Sequence, residues 1–348
     1  MNNKFSHFLC FFFAIFFIQS QQAPNVVFIA VDDLKPTIRS FGDEVAITPN
    51  LDFLARKSTV FLNNHTQQAI CSPSRISLLT GLRPDKTQVY DLKTKMRDKN
   101  PDVVTLPQFF KENGYTTAGI GKIFDPRGVD NQSDKPSWSL PFKRSYRLSY
   151  PDEWGPPAMG FYQNKEIKAK IDAYVTKGNI KRGNINNALK GKYKPPVSSS
   201  PAPDEAYTDG AIAAEAVNMI DELTQDTKPF FLAVGFKRPH LPFSAPQKYW
   251  DLYQRENLPL ASFQQRAANT RGLAYHGSGE LQSYIETGRN YTKDANNQLN
   301  LDEDFHHRQI YDLFEVDMPH VLEITDAPAN HPVNWKSLSV KAEVIRSS

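Results

Sequence analysis

Residues 25–31, which read NVVFIAV, form an unbroken run of apolar side chains after Asn25, most of them β-branched or aromatic. A run without polar alternation predicts a strand buried on both faces, as in the interior of a parallel sheet. A second run of this kind, PFFLAVGF, occupies residues 229–236. A strand that is buried on both faces needs helices above and below it, so the two runs predict an α/β fold.

The chain between these runs alternates between helix and strand patterns. A first helix is predicted over TPNLDFLARKS. A turn then leads into a helix within CSPSRISLLT that ends before Gly81, and a third helix is predicted over TLPQFFKEN before Gly114. Strands are predicted over TVFLNNH (59–65) and YTTAGIGK (115–122). A longer amphipathic helix is predicted over residues 203–225, with an apolar stripe formed by Ile212, Ala216, Met219, Ile220 and Leu223. This alternation predicts a doubly wound, mostly parallel sheet with helices on both faces.

Residues 125–203 have a different composition from the rest of the chain. They are rich in Pro, Ser, Lys and Asn, with two aromatic patches, SWSLPF and YPDEWGPPAMGFY. We expect this region to form long loops and short pieces on the substrate side of the sheet rather than part of its core.

Polar clusters follow the predicted strands at the points where they end. They are Asp32 with Asp33, the segment from Cys71 to Arg75, Lys122, and the segment from Lys237 to His240. Ligands of open α/β sheets bind outside the carboxyl ends of the strands, so these clusters are expected to converge on one site.

The residue types alone leave the chemistry of each cluster open. Adjacent carboxylates at Asp32 and Asp33 suit a hard divalent ion such as Ca²⁺ or Mg²⁺, but one could cap a turn while the other is solvated. Cys71 is either a thiolate nucleophile activated by a helix N-terminus and by Arg75, or a buried, inert thiol. Arg75 and Lys122 suit an anion or are surface charges, and His240 is either an acid or base or a loop histidine.

The N-terminus, MNNKFSHFLCFFFAIFFIQSQQAP, predicts a cleaved signal peptide over residues 1–20. Its apolar run from Phe8 to Ile18 is too short to cross a bilayer, and no other segment is long and apolar enough. Export to a lysosome, a periplasm or the outside is expected, with Cys71 left as the lone cysteine after Cys10 is removed. Glycosylation triplets begin at Asn64, Asn131 and Asn290.

The charge pattern gives no further partner. The formal net charge of +3 is small for 348 residues, and the basic residues are scattered. Neither nucleic-acid binding nor a polybasic membrane patch is therefore expected.

The motifs together resemble a known family. CSPSR followed by ISLLTGLRP resembles the signature of the type I sulfatases, and NVVFIAVDDLKP, GYTTAGIGKIFDP and PFFLAVGFKRPHLPF resemble that family's metal-binding strand, lysine strand and histidine loop in the same order. Within the family, DDLKP, GKIFDP and KRPHLPF most resemble the iduronate-2-sulfatase branch. The resemblance implies an alkaline-phosphatase-like fold and hydrolysis of a sulfate ester on a sulfated glycan.

The resemblance also implies a role for each motif residue. A formylglycine-generating enzyme would convert Cys71 into an aldehyde, formylglycine, whose hydrate attacks the sulfur and expels the alcohol. Ca²⁺, or Mg²⁺, would be held by Asp32, Asp33 and the modified Cys71. Arg75 would anchor the hydrate, and Lys122 and His240 would contact the sulfate and assist the leaving oxygen. The substrate side would include Asp125, Arg127, Lys237 and Arg238.

The sequence departs from the family pattern towards its C-terminus. The family places an aspartate followed by histidine or asparagine at the end of a later strand, where they supply two further metal ligands, and a second active-site lysine follows; none of these is found after LDEDFHHRQI. We interpret residues 21–310 as the N-terminal portion of the catalytic domain, residues 311–348 as a C-terminal tail, and a block between about Ile310 and Tyr311 as missing. We therefore expect an incomplete sheet with an exposed edge. We also expect the metal ion to be weakly held and the activity to be low or absent.

The sequence departs from the iduronate-2-sulfatase pattern at two places, and two other functions remain as alternatives. Asp125 and Arg127 follow the lysine strand where iduronate sulfatases carry a histidine, and Arg238 stands where they carry lysine, so other sulfated sugars fit as well. A phosphoryl-transfer hydrolase of the same superfamily would share the sheet but normally uses serine or threonine as nucleophile. A non-catalytic glycan-binding protein is the third interpretation.

Overall fold

The computed structural model describes residues 23–189 and 193–259, together with residues 280, 284, 292–293 and 299–300. The predicted signal peptide, the triplet at Asn290 and the predicted tail from residue 311 lie outside the described residues. In the described part, no helix is long and apolar enough to cross a membrane.

The strands and helices are numbered here in chain order. The strands are β1 (Val26–Asp32), β2 (Thr116–Gly121), β3 (Val197–Ser200), β4 (Phe230–Pro239), β5 (Phe243–Pro246), β6 (Thr292–Lys293) and β7 (Leu299–Asn300). The helices are α1 (Pro49–Arg56), α2 (Cys71–Thr80), α3 (Pro84–Thr87), α4 (Met96–Lys99), α5 (Leu106–Glu112), α6 (Lys165–Lys177), α7 (Ile185–Ala188), α8 (Thr208–Thr224) and α9 (Gln247–Trp250). Short 3-10 helices occupy Arg39–Phe41, Asp130–Gln132, Lys135–Ser137, Ser145–Arg147, Arg182–Asn184, Asp204–Ala206 and Arg255–Asn257.

The central sheet is parallel and has the order β1-β4-β2. The strand β4 lies in the middle, and most of its residues are buried. The three strands correspond to the apolar runs at residues 25–31 and 229–236 and to the predicted strand at residues 115–122, so the predicted α/β fold is confirmed.

Helices cover both faces of this sheet. On one face, α8 packs all five residues of its predicted apolar stripe into a core that includes Leu232, Val234 and Phe236 of β4. On the other face, α2 and α5 contribute to a second core, in which the ring of Phe110 stacks on Phe231 with 4.6 Å between centroids. The two-sided packing explains why β4 carries apolar side chains without alternation.

The prediction of a strand over residues 59–65 was wrong. These residues form no strand, and Phe61 and Leu62 are 51% and 60% exposed. The run has only three consecutive apolar residues before Asn63 and Asn64, so it has little apolar surface to offset the entropy of ordering it.

The expectation of loops and short pieces over residues 125–203 was also incomplete. The region contains the 13-residue helix α6, whose N-cap Asn164 accepts hydrogen bonds from the amides of Glu166 and Ile167. Ile171 packs with Tyr162 and Leu189 in a separate apolar cluster. The strand β3 pairs in parallel with β5, beside the main sheet rather than within it.

The two edges of the main sheet differ. The outer edge of β2 is covered by residues 139–143, with hydrogen bonds from the Ser139 amide to the Thr117 carbonyl (3.0 Å) and from the Lys143 amide to the Gly119 carbonyl (2.9 Å). No strand among the described residues pairs with the outer edge of β1.

Candidate active site

The polar clusters that follow the strands line one cavity of about 790 Å³. Of the residues expected to form the site, the cavity is lined by Asp32, Asp33, Cys71, Lys122, Asp125, Arg127, Lys237, Arg238 and His240. The remaining one, Arg75, lies beneath this cavity with 2% of its surface exposed. The structure therefore brings together every residue that the sequence predicted for the site.

Two glycines allow β2 and β4 to deliver their ends to the cavity. The amide of Lys122 donates to the carbonyl of Gly235 at 2.8 Å, which extends the pairing of the two strands. A Cβ atom on Gly121, whose φ is +80°, would lie 2.1 Å from that carbonyl oxygen. A Cβ atom on Gly235 would lie 2.1 Å from the carbonyl oxygen of Lys122. Only residues without side chains fit this close approach.

Asp32 is the central group of the site. Its Oδ1 accepts hydrogen bonds from Nη2 (2.8 Å) and Nε (3.3 Å) of Arg75, and its Oδ2 accepts one from Nζ of Lys122. Burial by itself would raise the pKa of Asp32, but the charges of Arg75 and Lys122 outweigh it and hold the pKa well below its usual range. The carboxylate is therefore ionised although it is buried.

Arg75 joins the ends of two strands. Besides Asp32 at the end of β1, it donates through Nη1 to the carbonyl of Lys122 and to the carbonyl of Ile123 (3.0 Å), just after β2. The sequence indicated a cation near the cysteine, but it gave no sign that its guanidinium group would be committed to protein acceptors. Arg75 thus fixes the distance between Asp32 and Lys122.

Cys71 is the first residue of α2, so its side chain lies at the positive end of a ten-residue helix. Its Sγ lies 3.4 Å from Nζ of Lys122 and 4.0 Å from Oδ2 of Asp32. Burial raises the pKa of the Cys71 thiol to about 11, although the charge of Lys122 acts in the opposite direction. Of the two interpretations that the sequence leaves open, the raised pKa favours a thiol that is not an activated nucleophile.

His240 faces the same group from the end of β4. Its Nδ1 lies 2.8 Å from the carbonyl of Leu241 and donates to it, which leaves Nε2 directed at the carboxylates. Nε2 lies 3.6 Å from Oδ2 of Asp33 and 3.6 Å from Oε1 of Glu280. Sequence analysis missed Glu280, since nothing in its local pattern distinguishes it from other polar residues.

Asp33 differs from its neighbour in its electrostatics. Burial raises the pKa of Asp33, and the negative charge of Asp32 raises it further. Two neighbouring carboxylates without an intervening cation are expected to differ in this way, because the second charge is opposed by the first.

The site contains a group that can hold a metal ion. Single ligand atoms of Asp32, Cys71 and His240 all lie within 4.8 Å of one another, and Asp33 is adjacent to His240. Carboxylate oxygens are the donors that Ca²⁺ and Mg²⁺ prefer, so the residues fit a hard divalent cation in kind. Described residues provide fewer oxygen donors than the six to eight that Ca²⁺ normally takes.

Asp125 and Arg127 form a pair at the side of the cavity. Asp125 is buried and accepts hydrogen bonds from Nε (2.9 Å), Nη2 (2.8 Å) and the backbone amide (3.0 Å) of Arg127. Burial opposes ionisation of Asp125, but the hydrogen bond from Arg127 and the charge of Lys122 lower its pKa below the usual value. Arg127 is about half exposed and lines the cavity, but its charge is balanced by that of Asp125.

The two basic residues before His240 lie in different surroundings. Nζ of Lys237 is partly exposed and donates to Oγ of Ser145 at 3.0 Å. Arg238 is 6% exposed, and its Nη1 donates to the carbonyls of His240 and Pro242. Ser145 was missed because it lies in the loop-rich region between β2 and α6.

Comparisons with known proteins agree with the motifs. A family model described as Sulfatase matches residues 24–303. Iduronate 2-sulfatases of Mus musculus and Homo sapiens are each 36% identical over 241 residues, which cover 69% of this chain and 39% of the relative. A protein named sulfatase from Formosa agariphila is 35% identical over 254 residues, covering 69% of this chain and 44% of the relative. The chain therefore spans about two fifths of the length of these relatives.

Among solved structures, a phosphonate monoester hydrolase of Agrobacterium radiobacter has a similar fold. The TM-score is 0.55 at 23% identity, over 91% of this chain and 59% of that chain. This likeness concerns the fold alone, and it agrees with the doubly covered parallel sheet described above.

Proposed function

Because this chain belongs to the sulfatase family, whose model matches residues 24–303, we propose that its cavity hydrolyses the sulfate ester of a sulfated glycan. The observation that carries the proposal is the position of Cys71, at the start of α2 and 3.4 Å from the ammonium group of Lys122. A sulfate at this point would meet a helix N-terminus and a cation together, and both favour an anion.

The nucleophile in this proposal is not the thiol. A formylglycine-generating enzyme converts Cys71 into an aldehyde, and the hydrate of that aldehyde supplies a hydroxyl group that can attack sulfur. Two observations support the conversion: residues 71–75 read CSPSR, and after residue 10 the sequence contains no second cysteine that could form a disulfide with Cys71.

A divalent cation, Ca²⁺ or Mg²⁺, completes the proposed site, held by Asp32, Asp33 and residue 71 after its conversion. The ion supplies charge neutralisation to the sulfate oxygens. The ionised state of Asp32 and the elevated pKa of Asp33 both support a cation-binding role, because a cation relieves the repulsion between the two carboxylates.

The surrounding residues bind the sulfate and transfer a proton to the leaving oxygen. Lys122 stays cationic, since its burial is outweighed by the charge of Asp32, which raises its pKa. It therefore opposes the negative charge that builds on the sulfonyl group in the transition state. His240 directs Nε2 into the cavity and transfers a proton to the leaving oxygen. Arg75 keeps Asp32 and Lys122 in register beneath the reacting atoms.

The substrate class rests on the cations at the side of the cavity and on the relatives. Lys237 brings an ammonium group to the cavity wall, and Arg127 adds guanidinium donors whose charge is balanced by Asp125, so an anionic sugar has cationic and hydrogen-bonding partners beside residue 71. The relatives at 36% identity are iduronate 2-sulfatases, so a sulfated glycosaminoglycan is the proposed substrate type. The proposal includes export through a signal peptide over residues 1–20 and a catalytic portion over residues 21–310.

Turnover by this chain is proposed to be low. Among the described residues, the ion has only Asp32, Asp33 and residue 71 as its assigned ligands. A weakly held ion leaves the sulfate charge poorly neutralised, so high calcium should increase the rate.

The test uses the chain produced in a host with a formylglycine-generating enzyme. Mass spectrometry of the peptide containing Cys71 should show the aldehyde, and 4-nitrophenyl sulfate should be hydrolysed slowly in calcium and not after chelation. The Cys71→Ala variant is the matched control and should have no activity. An unmodified thiol, or faster hydrolysis of 4-nitrophenyl phosphate than of the sulfate, would overturn the proposal in favour of a binding protein or a phosphoryl-transfer enzyme.

A further inference from the structure

The segment that carries His240 is held by two charged residues that the proposed reaction does not use. Residues 237–242 leave the end of β4 and turn back towards β5. Asp209 holds the start of this segment, and Arg238 holds the part that follows it. Both side chains are at least nine-tenths buried.

Asp209, the second residue of α8, binds the backbone amides two and three residues before His240. Its Oδ1 accepts from the amide of Lys237 at 3.0 Å, and its Oδ2 accepts from the same amide at 2.9 Å and from the amide of Arg238 at 2.7 Å. Hydrogen bonds to an ionised carboxylate are stronger than those between neutral groups. The carboxylate therefore fixes two consecutive peptide units relative to α8.

Arg238 binds the backbone on both sides of the turn. Its Nη1 donates to the carbonyls of His240 and Pro242, and its Cζ lies 4.9 Å from the centroid of the Phe161 ring. A guanidinium group that stacks on an aromatic ring while donating to two carbonyls is held in one geometry. Nη1 is thus committed to the loop, whereas the buried Nη2 has no hydrogen-bond partner among the described residues.

The orientation of the imidazole depends on this segment. Nδ1 of His240 donates to the carbonyl of Leu241, which lies between the two carbonyls that Arg238 binds. Nε2 is 3.6 Å from Asp33. A displacement of the segment by about 1 Å would move the imidazole away from a reacting group, and misplacement of that size can lower a rate about 100-fold.

We propose that Asp209 and Arg238 are positioning residues that hold His240 over Asp33, and that Arg238 does not contact the substrate. The role of His240 in proton transfer rests on the proposed function, whereas the holding of the segment is a property of the folded protein alone.

The experiment combines hydrogen exchange with kinetics in the full chain. The variants are Asp209→Asn, Arg238→Met and Arg238→Lys. An asparagine keeps one acceptor oxygen but loses the second, and a methionine removes both donor bonds while keeping an apolar stem. The matched control is Asp43→Asn, because Asp43 uses only Oδ1 to accept from the amides of Val45 (2.9 Å) and Ala46 (2.8 Å), and asparagine keeps that oxygen.

We expect exchange of the amides in residues 237–246 to rise at least tenfold in Asp209→Asn and in Arg238→Met, and to stay within twofold in the control. The kcat for an aryl sulfate should fall at least tenfold in both variants, with KM within threefold, because the substrate contacts remain. Arg238→Lys should restore at least half of the kcat, since a lysine can still donate to the carbonyls.

Two results would overturn the inference. One is unchanged exchange in the segment for both Asp209→Asn and Arg238→Met, and the other is faster exchange with an unchanged kcat. A rise in KM alone would also contradict it, because it would indicate substrate contact by Arg238. If the parent chain shows no turnover, the proposed function fails, and exchange in the segment alone decides the inference. If Asp209→Asn does not fold, the two Arg238 variants decide it.

Discussion

Asp32 shows how a single buried carboxylate organises the site. It is 1% exposed, yet both of its oxygens accept hydrogen bonds from cations that come from different parts of the chain. A buried ion pair contributes little net stability compared with an apolar pair, but removing one partner leaves an uncompensated charge. The cluster therefore tolerates joint replacement better than single changes.

The first prediction concerns Arg75. Arg75→Met should lower the free energy of unfolding by about 3 kcal/mol, because Asp32 loses its guanidinium partner while it stays buried. Urea denaturation followed by circular dichroism measures this change. The control is Lys170→Ala, which breaks a 2.5 Å pair with Glu166 at the surface. Lys170→Ala should alter the free energy of unfolding by no more than about 0.5 kcal/mol. An equal loss of unfolding free energy in both variants would contradict the assignment of the buried pair.

At the scale of the elements, the site depends on how closely β2 and β4 approach each other. Lys122 reaches Asp32 only because Gly121 and Gly235 leave no side chains between the two strand ends. The start of α2 then brings Cys71 to the same point. A small change in the spacing of two strands would thus act on the chemistry as well as on the fold.

The second prediction concerns Gly235. Gly235→Ala should lower the free energy of unfolding by about 2 kcal/mol, because the added Cβ would lie 2.1 Å from the carbonyl oxygen of Lys122. It should also abolish turnover, since the backbone of Lys122 has to move. Gly183→Ala is the control, because nothing lies within 4 Å of its added Cβ. Equal urea midpoints for the two variants would contradict the prediction, because they would show that β2 and β4 can move apart without a loss of stability.

At the scale of the molecule, the three strands of the main sheet are not equally protected. β4 is paired on both sides, β2 is covered on its outer edge by residues 139–143, and β1 has no strand on its outer edge among the described residues. An open edge of this kind is a pairing surface for another strand.

The third prediction follows from these edges. Hydrogen exchange followed by mass spectrometry should show the slowest exchange in β4, intermediate exchange in β2 and the fastest exchange of the three in β1. The comparison is internal, because all three strands lie in one sheet. Exchange in β1 as slow as in β4 would show that another strand covers the outer edge of β1.

The sequence was sufficient to predict the α/β fold, the family and the segments that meet at the site. The apolar runs at residues 25–31 and 229–236 are local signals, and parallel strands bring their carboxyl ends to one edge whatever lies between them. The helix α8 was predicted with its buried stripe for the same reason, since its periodicity is contained in one segment. By contrast, α6 was missed because polar and proline-rich neighbours concealed its short apolar stripe.

The tertiary structure alone decided what each site residue does with its neighbours. Arg75 and Lys122 are 47 residues apart and Lys122 and Asp32 are 90 residues apart, so no local pattern could predict their contacts. The surroundings of each atom, and the water that reaches it, decide the pKa of Cys71 and the burial of Arg238. They also decide that Asp209 accepts hydrogen bonds from the segment that carries His240. Sequence determines which residues reach the sheet edge, whereas burial and partners, set by the packing of distant segments, determine their charge and their orientation.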